Sequence, residues 1–219
     1  MAWTAPTVSN SCTPGSFSRL PQHTRILWND GPRLRELDAE LESHGLGALE
    51  PGKGRNVWYC AGYVLASGRS SVVGLHDCDI LTYDRSLLAR LMYPVAHPRF
   101  NYRFCKGYYP RIAEGKLNGR VSRLMVTPLL RALKTVCGPL PYLDYLDSFR
   151  YPLSGEFAMR SDVLEGIRIP ADWGWKLAYS LSCSATTPTA SYVRSILPMP
   201  TITSISPLAK MTPMRALTA

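Results

Sequence analysis

The chain has 219 residues and a formal net charge of +9, enough length for one α/β domain with a sizeable core. Its basic residues are dispersed among acidic ones, without a Lys/Arg run or an RNA-binding signature, which argues against nucleic acid and for anionic small molecules as partners. No apolar run approaches the ~18 residues of a membrane span, residues 1–18 carry no signal-type apolar core, and the six cysteines lack CxxC spacing; these features predict a cytoplasmic, non-membrane protein with reduced, mostly buried thiols and neither zinc cluster nor disulfide framework.

Residues 1–18 are rich in Ser, Thr and Pro and read as a segment outside the fold. From there the pattern alternates strand and helix. Arg25–Trp28 is a strand candidate closed by Asn29-Asp30-Gly31, and Pro32 suits a first helical position, with Leu34, Leu37 and Leu41 on one face and Gly45 at the end. Pro51–Gly54 is a loop leading into a second helix, whose stripe Val57, Ala61, Val64 and Leu65 runs to Gly68. The apolar run from Val72 to Ile80 reads as a central strand.

Beyond it, Asp84 is suited to cap a helix through Leu87, Leu88, Leu91 and Met92 that Pro94 should stop. A strand is expected within Phe100–Tyr109, and a helix over Arg120–Lys134 with Val121, Leu124, Leu129 and Leu133 apolar and Pro128 as a kink or break. Phe157–Arg160 is a short strand, after which Ser161 can cap a turn around Val163 and Leu164. Residues 177–219 hold no Asp or Glu and are interrupted by Pro188, Pro198, Pro200, Pro207 and Pro213. They read as a low-complexity, disordered tail, with short strands around Tyr192–Leu197. The resulting division is 1–18, a folded domain over 19–176, and the tail 177–219.

Three segments bear chemistry. The central run ends in Asp77-Cys78-Asp79, two carboxylates one residue apart where the ligand crevice of an open α/β sheet lies. Such a pair can offer hard oxygens to one divalent cation bridging to a diphosphate, although an aspartate after a strand also serves as turn former or helix cap. Gly52-Lys53-Gly54-Arg55 sets a lysine at a helix entrance, where free amides and the helix dipole favour an anion; a solvated surface turn is the plainer alternative. In Asn118-Gly119-Arg120-Val121-Ser122-Arg123, Gly119 permits close backbone approach, Arg120 can fork onto a phosphate or carboxylate, and Ser122 can donate a hydrogen bond. The alternative there is a charged first turn facing water.

Taken together, these segments resemble the retaining GT-A glycosyltransferases typified by glucosyl-3-phosphoglycerate synthase. The matching stretches are GKGRNVW (52–58), LHDCDILTYDR (75–85), FCKGYYPR (104–111), NGRVSRLMVTPLLRALK (118–134), YLDYLDSFRYPLSGEF (142–157) and DWG (172–174). The resemblance implies a GT-A, Rossmann-like α/β fold, with a mixed sheet flanked by helices. It also implies transfer of a hexose from UDP-glucose or GDP-mannose to 3-phosphoglycerate with retention of configuration. By position, Asp79 would ligate Mg2+ or Mn2+ on the diphosphate, Asp77 would face the ribose and Lys53 would contact the nucleotide. Gly119, Arg120 and Ser122 would hold the acceptor's phosphate and carboxylate, Leu153 and the following loop would border the sugar, and the leaving phosphate would assist front-face attack. The family also implies homodimers.

The chain departs from the pattern at both ends. Residues 1–18 do not resemble the family's base-binding strand and loop, Lys176 stands where a glutamate follows DWG, and no histidine follows His97 to complete the metal site. These departures predict an incomplete domain, with a reading-frame change after Gly174. The alternative function is a catalytically inactive fragment with an exposed sheet edge that binds ligand or partner at most.

Overall fold

The computed structural model describes residues 25–46, 52–77, 80, 83–110, 112–113, 116–117, 119–170 and 192–196. Its main sheet has four strands: β1 (Val72–Leu75), β2 (Phe104–Tyr108), β5 (Phe157–Arg160) and β6 (Tyr192–Ile196), in the order β1-β5-β2-β6. A backbone hairpin of β3 (Ile112–Ala113) and β4 (Lys116–Leu117) stands apart. The sheet is mixed, as expected: β5 is antiparallel to both β1 and β2, while β6 is parallel to β2.

Side chains alternate across the strands and build a core on each face. Phe104, Phe157 and Met159, with Val73 and Leu75, belong to the main core beside Val57, Ala61, Val126, Leu130, Leu143 and Phe149. These come from the helical side formed by α2 (Lys53–Ser67), α4 (Thr127–Cys137), α5 (Pro141–Asp147) and α6 (Ser161–Glu165). On the other face Cys105 and Ala158 meet Leu91 and Val95 of α3 (Arg85–Ala96).

Several boundaries follow the sequence reading. α1 (Pro32–Ser43) starts at Pro32, α2 ends on Gly68 at φ 61°, and the Asp84 carboxylate accepts the Ser86 amide at 2.7 Å to cap α3. Others differ, each for a physical reason. Arg25–Trp28 forms no strand; the Gly31 amide donates to the Trp28 carbonyl and turns the chain directly into α1. The leucines of α1 bury no residue fully, and the helix is tied instead to α2 by Asp38, which accepts from Arg55 at 2.6 Å and from the Tyr59 hydroxyl.

β1 stops at Leu75, five residues before the expected end at Ile80, because its partner turns away. Leu75 pairs with Phe157, the first residue of β5, so the ladder has no further partner on that strand. Pro94 does not stop α3, which runs on to Ala96 and buries Val95. Ser161 does not cap a helix; its hydroxyl donates to the Ser70 carbonyl.

The largest correction concerns Arg120–Lys134. Ser122–Val126 is a π-helical turn, with the Thr127 amide bonded back to the Ser122 carbonyl, and α4 begins beyond it with Pro128 in its first turn. Proline has no amide for a regular helical bond, and the wider turn ends where that amide is missing. The buried side chains are Ser122, Val126 and Leu130. The expected stripe of Val121, Leu124, Leu129 and Leu133 faces outward, with Leu124 73% exposed.

Among the described cysteines Cys105 is buried, Cys60 is half-buried and Cys137 is exposed. Burial pushes the Cys60 thiol up to about 11. Thiolate is the reactive form, so Cys60 should label with a disulfide reagent at pH 8 about 100-fold more slowly than an ordinary solvated thiol. Peptide mass spectrometry of the timed reaction checks this, and comparable rates would contradict the burial.

Candidate functional site

β1 and β2 run parallel to one another, and the carboxyl end of β1 sends consecutive side chains to opposite faces. Gly74 lies under Leu88 and Met92 of α3, whereas Val73 and Leu75 join the main core. His76 and Asp77 prolong these two rows. Asp77 thereby meets the first residue of α2, and the Lys53 ammonium donates to its carboxylate, joining two predicted residues 24 positions apart. The Asp77 side chain is only 17% exposed.

The turn before β5 closes over this pair. A Cβ on Gly155 would sit 2.6 Å from the Asp77 carboxylate carbon, so the backbone passes at a distance that only glycine allows. Leu153 in the same turn is partly buried against the main core. Around the turn lie residues that the motif reading missed. Glu156 is fully buried and accepts from the Tyr109 hydroxyl at 2.6 Å and from Ser154 Oγ at 2.8 Å. Lys106, also buried, donates to the Ser154 carbonyl at 3.0 Å.

The Tyr109 phenol is pushed far above its ordinary range, first by burial, then by the Glu156 charge and hydrogen bond, with Asp77 adding a further share. One phenol thus lies within electrostatic reach of both carboxylates. The available signal was a lysine inside the strand pattern FCKGY and a glutamate directly before FAMR; charges within strands facing a core are uncommon unless paired.

His76, on the α3 side, packs edge-on against Tyr83 with ring centroids 5.4 Å apart. Both ring nitrogens are buried and have no hydrogen-bond partner among the described residues. Burial drives its pKa down to about 4, and the Asp77 charge offsets only part of that shift.

The residues expected to hold the acceptor gather at the head of the π-helical turn. Gly119 adopts φ +89°, a left-handed conformation suited to glycine, and its carbonyl accepts the Arg123 amide at 3.3 Å. Arg120 is exposed at the start of the helical stretch. Ser122 is buried, with a hydroxyl that has no partner among the described residues. A buried hydroxyl without a partner leaves a donor for a ligand to satisfy, whereas the Arg120 side chain, two residues earlier, is exposed. π-turns recur at functional sites.

Asp79, Asn118 and residues 172–176 lie outside the described residues. Among those described, no group of three or more His, Cys, Asp or Glu side chains gathers around one point. The donor type nevertheless fits a hard cation: carboxylate oxygen stands at the end of β1, and the His76 imidazole belongs to the opposite row. No helix among the described residues is long and apolar enough to cross a membrane.

The fold has clear counterparts among solved structures. Glucosyl-3-phosphoglycerate synthase from Mycobacterium tuberculosis, in complex with Mn2+, UDP-glucose and phosphoglyceric acid, superposes with a TM-score of 0.61 at 21% identity, over 85% of this chain and 55% of that one. The same enzyme in complex with Mg2+ and UDP gives a TM-score of 0.55 at 19% identity, over 84% and 61% respectively. The architecture is therefore that of the GT-A glycosyltransferases, carried in part.

Sequence comparison is more specific. The chain is 48% identical over 162 residues to glucosyl-3-phosphoglycerate synthase of Persephonella marina, covering 74% of this chain and 40% of that protein. It is 42% identical over 152 residues to the synthase of Methanococcoides burtonii, covering 68% and 37%. The chain is thus similar to two glucosyl-3-phosphoglycerate synthases over about 70% of its own length and spans about 40% of the length of these curated proteins. No protein-family profile matches it.

Proposed function

We propose that the chain is the donor- and acceptor-binding part of a hexosyltransferase that moves glucose from UDP-glucose to 3-phosphoglycerate with retention, in the cytoplasm, as a homodimer without nucleic-acid or membrane partners. The observation that carries this reading is the Lys53–Asp77 pair at the carboxyl end of β1 beneath the Gly155 turn. It stands where an open α/β sheet takes its ligand. The synthase names of the two curated relatives support the reaction.

In this reading the Asp77 carboxylate accepts hydrogen bonds from the ribose hydroxyls, and Lys53 turns its charge toward the nucleotide phosphates. Leu153 and the turn that follows border the sugar and keep water from it. Arg120 forks onto the acceptor's phosphate or carboxylate, the Ser122 hydroxyl donates to the same group, and the Gly119 backbone allows close approach. The acceptor hydroxyl then attacks the anomeric carbon on the face from which the diphosphate leaves. Asp79 would hold Mg2+ or Mn2+, whose chemistry there is to neutralise charge on the leaving diphosphate.

Incubation of the chain with UDP-glucose, 3-phosphoglycerate and MnCl2 is expected to release UDP only when all three are present, and EDTA should stop it. Release of UDP independent of the acceptor, or neither release nor UDP binding, would overturn the reading. GDP-mannose in parallel tests the donor.

A further inference from the structure

We propose that Glu156 is a positioning residue of the donor site: by accepting from Tyr109 and Ser154, next to the Lys106 bond to the Ser154 carbonyl, it holds the 152–155 turn against the Asp77 carboxylate, and so sets where Asp77 and Leu153 meet the donor. This rests on the reading of Asp77 and Leu153 as donor contacts.

A fully buried carboxylate is costly and needs a use. The sheet does not require it, because the ladders of β5 with β1 and β2 are made by the backbone. Its side chain instead binds the end of β2 to its own turn: Tyr109 and Ser154 both donate to the same Glu156 oxygen. Lys106 fastens the Ser154 carbonyl from the neighbouring strand at 3.0 Å, and its ammonium lies 5.7 Å from the Phe157 ring centroid. The Gly107 amide holds the Glu156 carbonyl at 2.8 Å.

These ties converge on Ser154 and Glu156, and the residue between them is Gly155, which lies on Asp77. Lys53 holds Asp77 from one side and the turn holds it from the other. Loosening the turn therefore frees the carboxylate without dismantling the sheet. A purely structural Glu156 would move global stability alone; a positioning Glu156 moves the turn and ligand affinity ahead of it.

The test compares Tyr109→Phe, Glu156→Leu, Glu156→Gln, Gly155→Ala and a core control, Leu164→Ala, by hydrogen exchange of the 154–156 amides relative to those of β5 and by calorimetric titration with UDP and MnCl2. Tyr109→Phe should speed exchange in the turn relative to β5 roughly tenfold and weaken UDP roughly tenfold, the weight of one net hydrogen bond. Glu156→Leu, which accepts neither hydroxyl, should loosen the turn and weaken UDP at least as much as Tyr109→Phe, and Glu156→Gln, which keeps an oxygen able to accept both, should lose less on both readouts. Gly155→Ala pushes on Asp77 from the turn and should weaken UDP with the sheet intact. Leu164→Ala should shift turn and strand together and leave affinity unchanged. Equal effects of Tyr109→Phe on turn and strand, or an unchanged affinity for UDP, would overturn the proposal. If the unaltered chain binds no UDP while Tyr109→Phe still loosens the turn selectively, the donor reading falls and the brace between β2 and the turn stands.

Discussion

Asp77→Asn is expected to weaken UDP binding in the presence of MnCl2 by about 100-fold, the loss of a charged hydrogen-bond acceptor to a ligand hydroxyl pair. Asparagine keeps the planar shape that fits beneath Gly155, so the turn is not displaced and the melting temperature should move little. What changes is charge: Lys53 loses its counter-ion at the mouth of the site. Because the two side chains act as one unit, the effects of Asp77→Asn and Lys53→Met should not add, and the double variant should bind little worse than the worse single one. Calorimetric titration of the four proteins measures the coupling. UDP binding by Asp77→Asn at parity with the unaltered chain would remove Asp77 from the donor site, and additive losses would mean that Asp77 and Lys53 act on the ligand independently.

The second large effect is expected in acid. His76 has a folded pKa near 4 against 6.5 for the free side chain, because its buried ring cannot be solvated as a cation. The unfolded chain therefore binds a proton as pH falls through 6.5, while the folded chain does not until about 4. Stability contributed by the neutral ring is fully present above 6.5 and is lost between 6.5 and 4. The loss amounts to about 3 kcal/mol. His76→Phe preserves a ring against Tyr83, has no proton to take up, and removes two buried nitrogens without partners among the described residues. Urea unfolding at a series of pH values should give a shallower acid limb for the variant across that window. Superimposable limbs would mean that the ring is solvated in the folded protein.

The residues that the sequence made legible share a property: their chemistry is visible without a partner. Asp84 before an apolar helix, Gly68 after one, and the strand-like run at Phe157 each follow from local backbone preference, and each stands where expected. Lys53 and Asp77 were legible as single charges at a helix start and a strand end. That they bind one another depends on α2 lying beside β1, which no spacing encodes.

The failures are equally specific. The segment 120–137 is apolar on more than one side, and the face packed on the core carries Ser122, Val126 and Leu130, four residues apart, while Val121, Leu124 and Leu129 stay exposed. Which apolar side is buried is set by what the rest of the fold places opposite it.

By itself the sequence determined the alternation of strand and helix, the caps at Asp84 and Gly68, and a similarity to glucosyl-3-phosphoglycerate synthases over most of its length. These are written in local residue order, because caps, turns and motifs act over a few neighbouring positions. Only the tertiary structure decided that Lys106, Tyr109 and Glu156 lie buried behind Asp77, that the His76 ring nitrogens are cut off from solvent, and that Leu124 is not. Burial and pairing depend on what the rest of the chain places opposite a side chain, and that partner comes from residues far away along it.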